Sequence, residues 1–129
     1  MAQIKIYGHK THLANNAHSL SIAIHEAVIE ALEYPPEKKF HRFIPMESDW
    51  FIYPDDRSEC YTIIEISMFE GRSAEAKKKL IRLLIKYMKE HADVDPQDVE
   101  ITIFETPMTN WGIRGVPAEE LSLGYKVDV

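Results

Sequence analysis

The strongest constraint on the fold of this chain is that one order of secondary-structure signals occurs twice. In the first copy, alternating apolar and polar residues over 3–7 predict a strand, and the stretch over about 15–33 predicts a helix. After Pro35 and Pro36, the apolar residues over 40–44 predict a second strand. The first copy therefore has the form strand, helix, strand.

The second copy has a predicted strand over 61–69, a helix that begins at Ser73 and fades near His91, and a last strand over 99–104. The helix predictions depend on apolar residues that recur at spacings of three and four, which give each helix one apolar stripe. In the strands, apolar and polar residues alternate, as in a sheet that is covered on one face. These patterns predict an α/β fold.

One numerical offset aligns the two copies. Pro96 minus Pro35 is 61, and the same difference separates Ile101 from Phe40. A shared offset indicates an internal repeat better than similar composition does. Because a strand, a crossover helix and a neighbouring strand almost always form a right-handed parallel unit, two tandem units predict a four-stranded sheet with two helices on one face.

A length of 129 residues suits a single domain over 1–129. Within it we expect the first β-α-β unit over about 3–45, an insertion loop over about 46–59, the second unit over about 60–106 and a C-terminal tail over 107–129. No apolar run approaches the roughly 20 residues of a membrane span. No basic region followed by an apolar stretch stands at the N-terminus either, so we expect a cytoplasmic protein without a membrane partner.

Charge and composition disfavour several other classes of partner. The net charge of −6 disfavours nucleic acid. Cys60 is the only cysteine, so no internal disulfide is possible, which agrees with a reducing compartment. The six histidines show no recognised zinc spacing, although His9 and His12 are expected to share a loop. We therefore predict neither a metal nor another cofactor.

The first candidate for chemistry is the turn EGRS over 70–73, where a strand ends and a helix starts. Ser73 is a good N-cap, and Gly71 permits a tight turn. Arg72 then lies near the first helical turn, where backbone N–H groups already favour anions. This arrangement predicts a cradle for a carboxylate, and the alternative on spacing alone is an ordinary surface arginine beside a helix cap.

Taken together, these motifs resemble the tautomerase superfamily, and within it the malonate semialdehyde decarboxylase-like and uncharacterised tautomerase-like members. The resemblance depends on the repeat, the turn over 70–73, the segment DPQDV over 95–99 and the tail segment NWGIRG over 110–115. It implies a homotrimer built from tandem β-α-β units, with active sites near the subunit interfaces. It also implies an N-terminal proline as the catalytic group.

The catalytic proline of the superfamily is replaced here by Ala2, which follows Met1. An N-terminal amine in an apolar pocket can act as a general base when free and as a general acid when protonated. If Met1 were removed, the primary amine of Ala2 could still titrate near roughly 8 or form a Schiff base. If Met1 stays, that nitrogen is an amide and cannot be a base, so Ala2 is a catalytic candidate only in the processed chain.

Two other positions depart from the decarboxylase pattern. Lys38 stands where those enzymes carry a carboxylate, and Glu70 stands where they carry the first of two arginines. Arg72 matches the second arginine. A decarboxylase of that kind is therefore not predicted, and Lys38 and Arg72 become candidates for substrate binding.

The tail supplies the remaining candidates for substrate binding. Trp111 fits an aromatic position that the resemblance places over the substrate, although it could equally anchor a subunit interface. Ile113 and Arg114 follow it. Arg114 could be a second contact to a carboxylate, or it could form a salt bridge with Asp128 or Glu119.

Two hypotheses about function remain open. In the first, the protein is a tautomerase-like isomerase that interconverts the keto and enol forms of a small 2-keto or enol acid, held through its carboxylate by an arginine pocket. In the second, it is a catalytically inactive trimer that binds a small carboxylate or serves as an interaction protein. An unusual base such as His9 or Tyr7 stays possible, and so does a part for any of four phenols among which spacing does not choose: Tyr34, Tyr53, Tyr61 and Tyr125.

Overall fold

The structure of the chain is a computed structural model that describes residues 2–121 and 126–129. Met1 and Tyr125, both named above, lie outside the described residues. The main elements of the described part are β1 Ala2–His9, α1 Lys10–Leu32, β2 His41–Met46, β3 Thr62–Phe69, α2 Ala74–Ala92 and β4 Val99–Thr106. The tail adds a short hairpin of β5 Gly112–Ile113 and β6 Val116–Pro117.

The sheet has the order β2-β1-β3-β4. Strands β1 and β2 are parallel, as are β3 and β4, and each pair is joined by its own helix. The two units meet through β1 and β3, which run antiparallel in the middle of the sheet. The prediction of tandem β-α-β units that form one four-stranded sheet is therefore confirmed.

One face of the sheet is covered by the two helices. Alternate residues of the central strands point into this layer, and the helices contribute one stripe each. Burying one such aliphatic side chain contributes about 1.5–3 kcal/mol relative to exposure. No helix of the described residues is long and apolar enough to cross a membrane. The central core residues are Ile4, Ile6, Leu20, Ile24, Val28, Ile64, Ile66, Met68, Leu80, Leu84 and Met88.

Helix α1 begins at Lys10 and not near residue 15. The prediction that His9 and His12 share a loop is therefore wrong, because His9 ends β1 and His12 lies in the first turn of α1. The early turn is stabilised by burial, since Leu13 is buried and the Nε2 atom of His12 lies 3.0 Å from the Oγ1 atom of Thr62. A polar first turn gives no apolar periodicity, and for that reason the sequence pattern missed it.

The offset between the two units is 60 and not 61. Both helices end on a residue with left-handed backbone, Glu33 with φ 51° and Asp93 with φ 53°, and 93 minus 33 is 60. The offset must be even, because an odd one would place the partner of the buried Ile4 on the other face of its strand. An offset of 60 pairs Ile4 with the equally buried Ile64.

The same offset extends into the segment over 46–59, which we had expected to be an insertion. A 3₁₀ turn over Ser48–Trp50 matches the 3₁₀ turn over Met108–Asn110, again 60 residues later. The segment is therefore the first unit's own counterpart of the C-terminal tail. It appeared to be an insertion because the apolar residues of the two tails differ in type and the turns carry no periodic signal.

Candidate active site

The topology brings several of the predicted site residues to one end of the sheet. Strands β1 and β2 start at this end, and β3 finishes there, because Ala2 pairs with Met68 across the two central strands. Lys38 precedes β2 and Arg72 follows β3. We refer to this end of the molecule as the Ala2 end.

A cavity of about 250 Å³ opens at the Ala2 end. The turn before β2 forms one side, and the β5–β6 hairpin of the tail forms the other. Four of the six predicted site residues, Lys38, Trp111, Ile113 and Arg114, line it together. The full lining is Gln3, Lys38, Phe40, Trp111, Gly112, Ile113 and Arg114.

The cavity carries two positive charges that no described carboxylate neutralises. Arg114 forms no salt bridge with Asp128 or Glu119, and Lys38 forms none with any residue in the described ranges. Like charges that share a small cavity repel one another, and an anion between them relieves that repulsion. The arrangement is therefore suited to a carboxylate.

The backbone of the hairpin sets the direction of Arg114. Arg114 has a φ of 52° and the following Gly115 a φ of 84°, so two successive residues adopt left-handed conformations. Glycine takes such a conformation without steric cost, whereas arginine does so only at a cost. This tight turn between β5 and β6 places Arg114 at the mouth of the cavity.

Trp111 is held by packing inside the same chain. Its ring meets the buried ring of Phe69 edge to face, with 4.9 Å between the ring centroids. Both belong to a small apolar cluster that also contains Met108, Ala118 and Val127. The remaining surface of Trp111 lines the cavity, so one apolar wall stands beside the two cations.

Ala2 lies next to the cavity rather than in its lining. The residue is only 2% exposed, and its nitrogen donates a hydrogen bond to the Oη atom of Tyr34 at 3.0 Å. Tyr34 is itself 3% exposed. Among the four phenols that the sequence left equivalent, this one contacts the candidate catalytic nitrogen. With the offset of 60, Tyr34 aligns with the buried Val94 of the second unit. A tyrosine where the other unit has a buried apolar residue could have marked Tyr34 in the sequence, but an offset of 61 aligns it with Asp95 and hides this difference.

Arg72 does not line the cavity. Its side chain is buried, with 4% of the residue exposed, and its Nη1 atom donates to the carbonyl oxygen of Phe69 at 3.4 Å. The C-terminal residues 126–129 pack against the turn that carries it. Ser73 Oγ donates to the carbonyl oxygen of Val129 at 3.0 Å, and a Cβ atom on Gly71 would stand 3.0 Å from Val127 Cγ1.

His41, the first residue of β2, is a half-buried histidine. Burial lowers its pKa to about 4, and the positive charges of His25 and Lys39 act in the same direction. Its Nδ1 atom is hydrogen-bonded to Ser21 Oγ at 2.8 Å. No group of three potential ligands among His, Cys, Asp and Glu converges within residues 2–121 and 126–129 to form a metal site.

The opposite end of the sheet has a larger cavity of about 570 Å³, lined in part by His9 and Tyr53. The Tyr53 hydroxyl donates to the carbonyl oxygen of Ser58 at 3.0 Å, so the proton in its 2.6 Å contact with His9 belongs to His9 Nε2. The offset of 60 places Thr62 where the first end has Ala2. Thr62 is inside the chain and cannot carry an α-amine, so the α-amine chemistry considered for Ala2 has no counterpart at Thr62.

The fold is that of a small α/β protein built from two β-α-β units, with a cationic cavity beside the first strand. The family described as "Tautomerase enzyme" matches residues 38–114, and the chain belongs to this tautomerase family. A 2-hydroxymuconate tautomerase of Comamonas testosteroni is 40% identical over 57 residues, which are 44% of this chain and 90% of that relative. A whole relative thus corresponds to somewhat less than half of this chain, as expected for a tandem repeat.

Solved structures share the fold over nearly the whole chain. Malonate semialdehyde decarboxylase, described in its wild-type, mutant and inactivated forms, superimposes with a TM-score of 0.81 at 19% identity, over 91% of this chain and 94% of that one. A wild-type fused 4-OT described as an asymmetric trimer gives a TM-score of 0.79 at 20% identity, over 91% and 96% of the two chains. At such identities the likeness establishes the fold alone.

Proposed function

We propose that this protein is a tautomerase that interconverts the keto and enol forms of a small 2-oxo acid at the Ala2 end. The observation that carries the proposal is the cavity in which Lys38 and Arg114 stand together, without a carboxylate partner among the described residues, beside the ring of Trp111. A carboxylate would bind the two cations, and the apolar part of the acid would lie against the indole. The activity of the 2-hydroxymuconate tautomerase relatives supports this choice of reaction.

In the proposed reaction, the amine of a processed Ala2 carries the proton. The neutral amine removes a proton from the carbon next to the keto group and becomes an ammonium, and negative charge develops on the keto oxygen. This oxygen takes up a proton from water to complete the enol, and the ammonium releases its own proton to water to restore the amine. In the opposite direction, the ammonium can return a proton to that carbon. Lys38 and Arg114 would stabilise the charge on the acid because they are already in place before the reaction begins.

Arg72 takes a less direct part in this proposal. Because its side chain is buried and does not line the cavity, we propose that it acts on the bound carboxylate through its charge rather than through a hydrogen bond. Ile113 contributes apolar surface to the wall that carries Trp111. No cofactor takes part in the proposed reaction.

We further propose that the active form is a homotrimer in the cytoplasm. The trimeric assembly of the fused 4-OT supports the first point, since its fold matches this chain almost end to end. The lone Cys60 agrees with a reducing compartment. Sedimentation equilibrium tests the assembly, and a monomer at micromolar concentration would contradict it.

A second candidate function is the binding of a small carboxylate without catalysis. It is favoured by the presence of alanine at position 2, because alanine lacks the ring that fixes φ in proline. In addition, the nitrogen of Ala2 is an amide wherever Met1 is retained. The cavity and its two cations would serve this function equally well. The two candidates differ only in whether the amine exists and reacts.

The test compares two proteins that differ only in where the chain starts. Cleavage of a removable tag can leave either Ala2 or Met1 as the first residue, and the intact mass verifies the product. Ketonisation of phenylenolpyruvate, followed by its ultraviolet absorbance, should be about 10²-fold or more faster with the Ala2 start, since general acid–base catalysis contributes about that much. Equal rates for the two proteins and for buffer alone would eliminate the enzyme and leave the binding function.

A further inference from the structure

The nitrogen of Ala2 has a built-in partner in the first unit. Tyr34 Oη lies 3.0 Å from that nitrogen, and both residues are almost completely buried. The phenol arrives there because α1 ends at Leu32 and the left-handed Glu33 turns the chain back toward β1. A hydrogen bond of 3.3 Å from Tyr34 N to the carbonyl oxygen of Ile29 fixes the backbone of this turn.

We propose that Tyr34 is a positioning residue for the α-amine of a processed Ala2, where its phenol oxygen holds the nitrogen in place beside the cavity. This inference rests on the proposed function. Proline at this position would be aimed by its ring, which fixes φ, and alanine has no such constraint. The hydrogen bond to Tyr34 supplies part of the missing constraint, because it fixes the position of the Ala2 nitrogen.

The phenol also affects the proton equilibrium of the amine. Burial favours the neutral amine and lowers its pKa from the ordinary value of about 7.7–8.0. In the structure the nitrogen follows Met1 and is an amide that donates to the phenol oxygen. A protonated amine in its place would donate in the same geometry, and this favours the charged form because charged donors bind more strongly than neutral ones. Tyr34 therefore opposes the effect of burial on the amine pKa. It keeps that pKa close to the working pH, where a group can both accept and return a proton.

Other charges surround this end of the molecule. Lys38 lies in the turn before β2, Arg114 in the hairpin, and Glu70 and Arg72 in the turn after β3. The three cations lower the pKa of a nearby amine and the carboxylate raises it. None of them changes when Tyr34 is altered, so a Tyr34 variant isolates the contribution of the phenol.

The experiment titrates the α-amine directly. Protein that starts at Ala2 is labelled with ¹⁵N-alanine, and the nitrogen shift of the α-amine is followed against pH by NMR. The Tyr34→Phe variant keeps the buried ring and removes only the oxygen, and its amine pKa should be lower by about half to one unit. The matched control is Tyr87→Phe, which removes a phenol that donates to Glu30 at 3.1 Å between the two helices, and it should leave the amine pKa unchanged.

An amine pKa that stays within about 0.2 units of the wild type in Tyr34→Phe would overturn the inference. If that variant does not fold, wild-type protein containing 3-fluorotyrosine provides the second measurement. Fluorine weakens the phenol oxygen as an acceptor, so the amine pKa should again fall, and no change would overturn the inference in the same way.

The ketonisation assay on the same proteins separates this inference from the proposed function. If Tyr34→Phe lowers the amine pKa and neither protein is active, the positioning role stands and the tautomerase proposal fails. If the wild type is active and Tyr34→Phe changes neither the amine pKa nor the pH profile of the rate, the tautomerase proposal stands and the positioning role fails.

Discussion

The two cations of the cavity give the most informative variants. Lys38→Met removes one charge while it keeps most of the aliphatic chain. At Arg114 the replacement must also tolerate a φ of 52°, and asparagine is one of the residues that adopts such a conformation most readily. Lys38→Met and Arg114→Asn therefore test charge with little change in backbone or packing.

The expected magnitude follows from the exposure of the two side chains. A hydrogen bond to a charged group contributes about 1.5–3 kcal/mol, and solvent screening reduces this for residues at the surface. Lys38 is half-buried and Arg114 is exposed. We expect Lys38→Met to weaken the binding of phenylpyruvate about tenfold and Arg114→Asn about fivefold, which corresponds to about 1.4 and 1 kcal/mol.

Isothermal titration calorimetry with phenylpyruvate provides the assay, and Arg82→Gln provides the control. Arg82 lies exposed on α2, so this variant removes one positive charge as well, without touching the cavity. Its affinity should match that of the wild type. If all three variants bind phenylpyruvate as tightly as the wild type, the carboxylate does not lie between Lys38 and Arg114 and the reasoning from unpaired charge is refuted.

Three further predictions concern stability, each measured by denaturant unfolding. Asp98→Ala should lower the free energy of unfolding by about 2–4 kcal/mol, because the buried carboxylate accepts hydrogen bonds from both Ser58 N and Ser58 Oγ; a loss below about 0.5 kcal/mol would contradict this. Gly71→Ala should cost more than about 1 kcal/mol, since φ is 130° and the new Cβ meets Val127, and an unchanged midpoint would disprove the strain. The pKa of His41 is about 4 in the folded protein and about 6.5 in the unfolded chain, so the unfolded chain takes up a proton first as the pH falls. The free energy of unfolding should therefore fall by about 2 kcal/mol from pH 6.5 to 4. His41→Gln should reduce that loss.

The sequence predicts the architecture well because periodic patterns carry it. The alternation in β3 and the apolar stripe of α2 each follow from one buried face, and the N-cap at Ser73 is found where the residue type predicts it, with Ser73 Oγ accepting from Ala76 N at 3.1 Å. The parallel strand pairs follow from the order strand, helix, strand. The resemblance to the tautomerase superfamily agrees with the match to the family over residues 38–114.

The sequence fails where position is set by contacts between distant residues. Two adjacent prolines, Pro35 and Pro36, made the offset ambiguous by one. The left-handed helix ends, the buried strand residues and the matching 3₁₀ turns of the structure resolve it. The error of one residue in the offset concealed two features: the likeness of the segment over 46–59 to the C-terminal tail, and the unusual phenol at Tyr34. No local pattern predicts that Arg72 is buried, or that the turn over 70–73 contacts the C-terminal residues, because those contacts join segments more than 50 residues apart.

The measurement that tests the account most directly is a titration with phenylpyruvate followed by the indole N–H signals of the two tryptophans. Trp111 lines the cavity, whereas Trp50 is 79% exposed in the turn after β2 at the opposite end of the sheet, so it serves as an internal control. The account predicts a saturable shift of the Trp111 signal while the Trp50 signal stays in place. An unmoved Trp111 signal at saturating ligand, or a saturable shift of Trp50 alone, would contradict it.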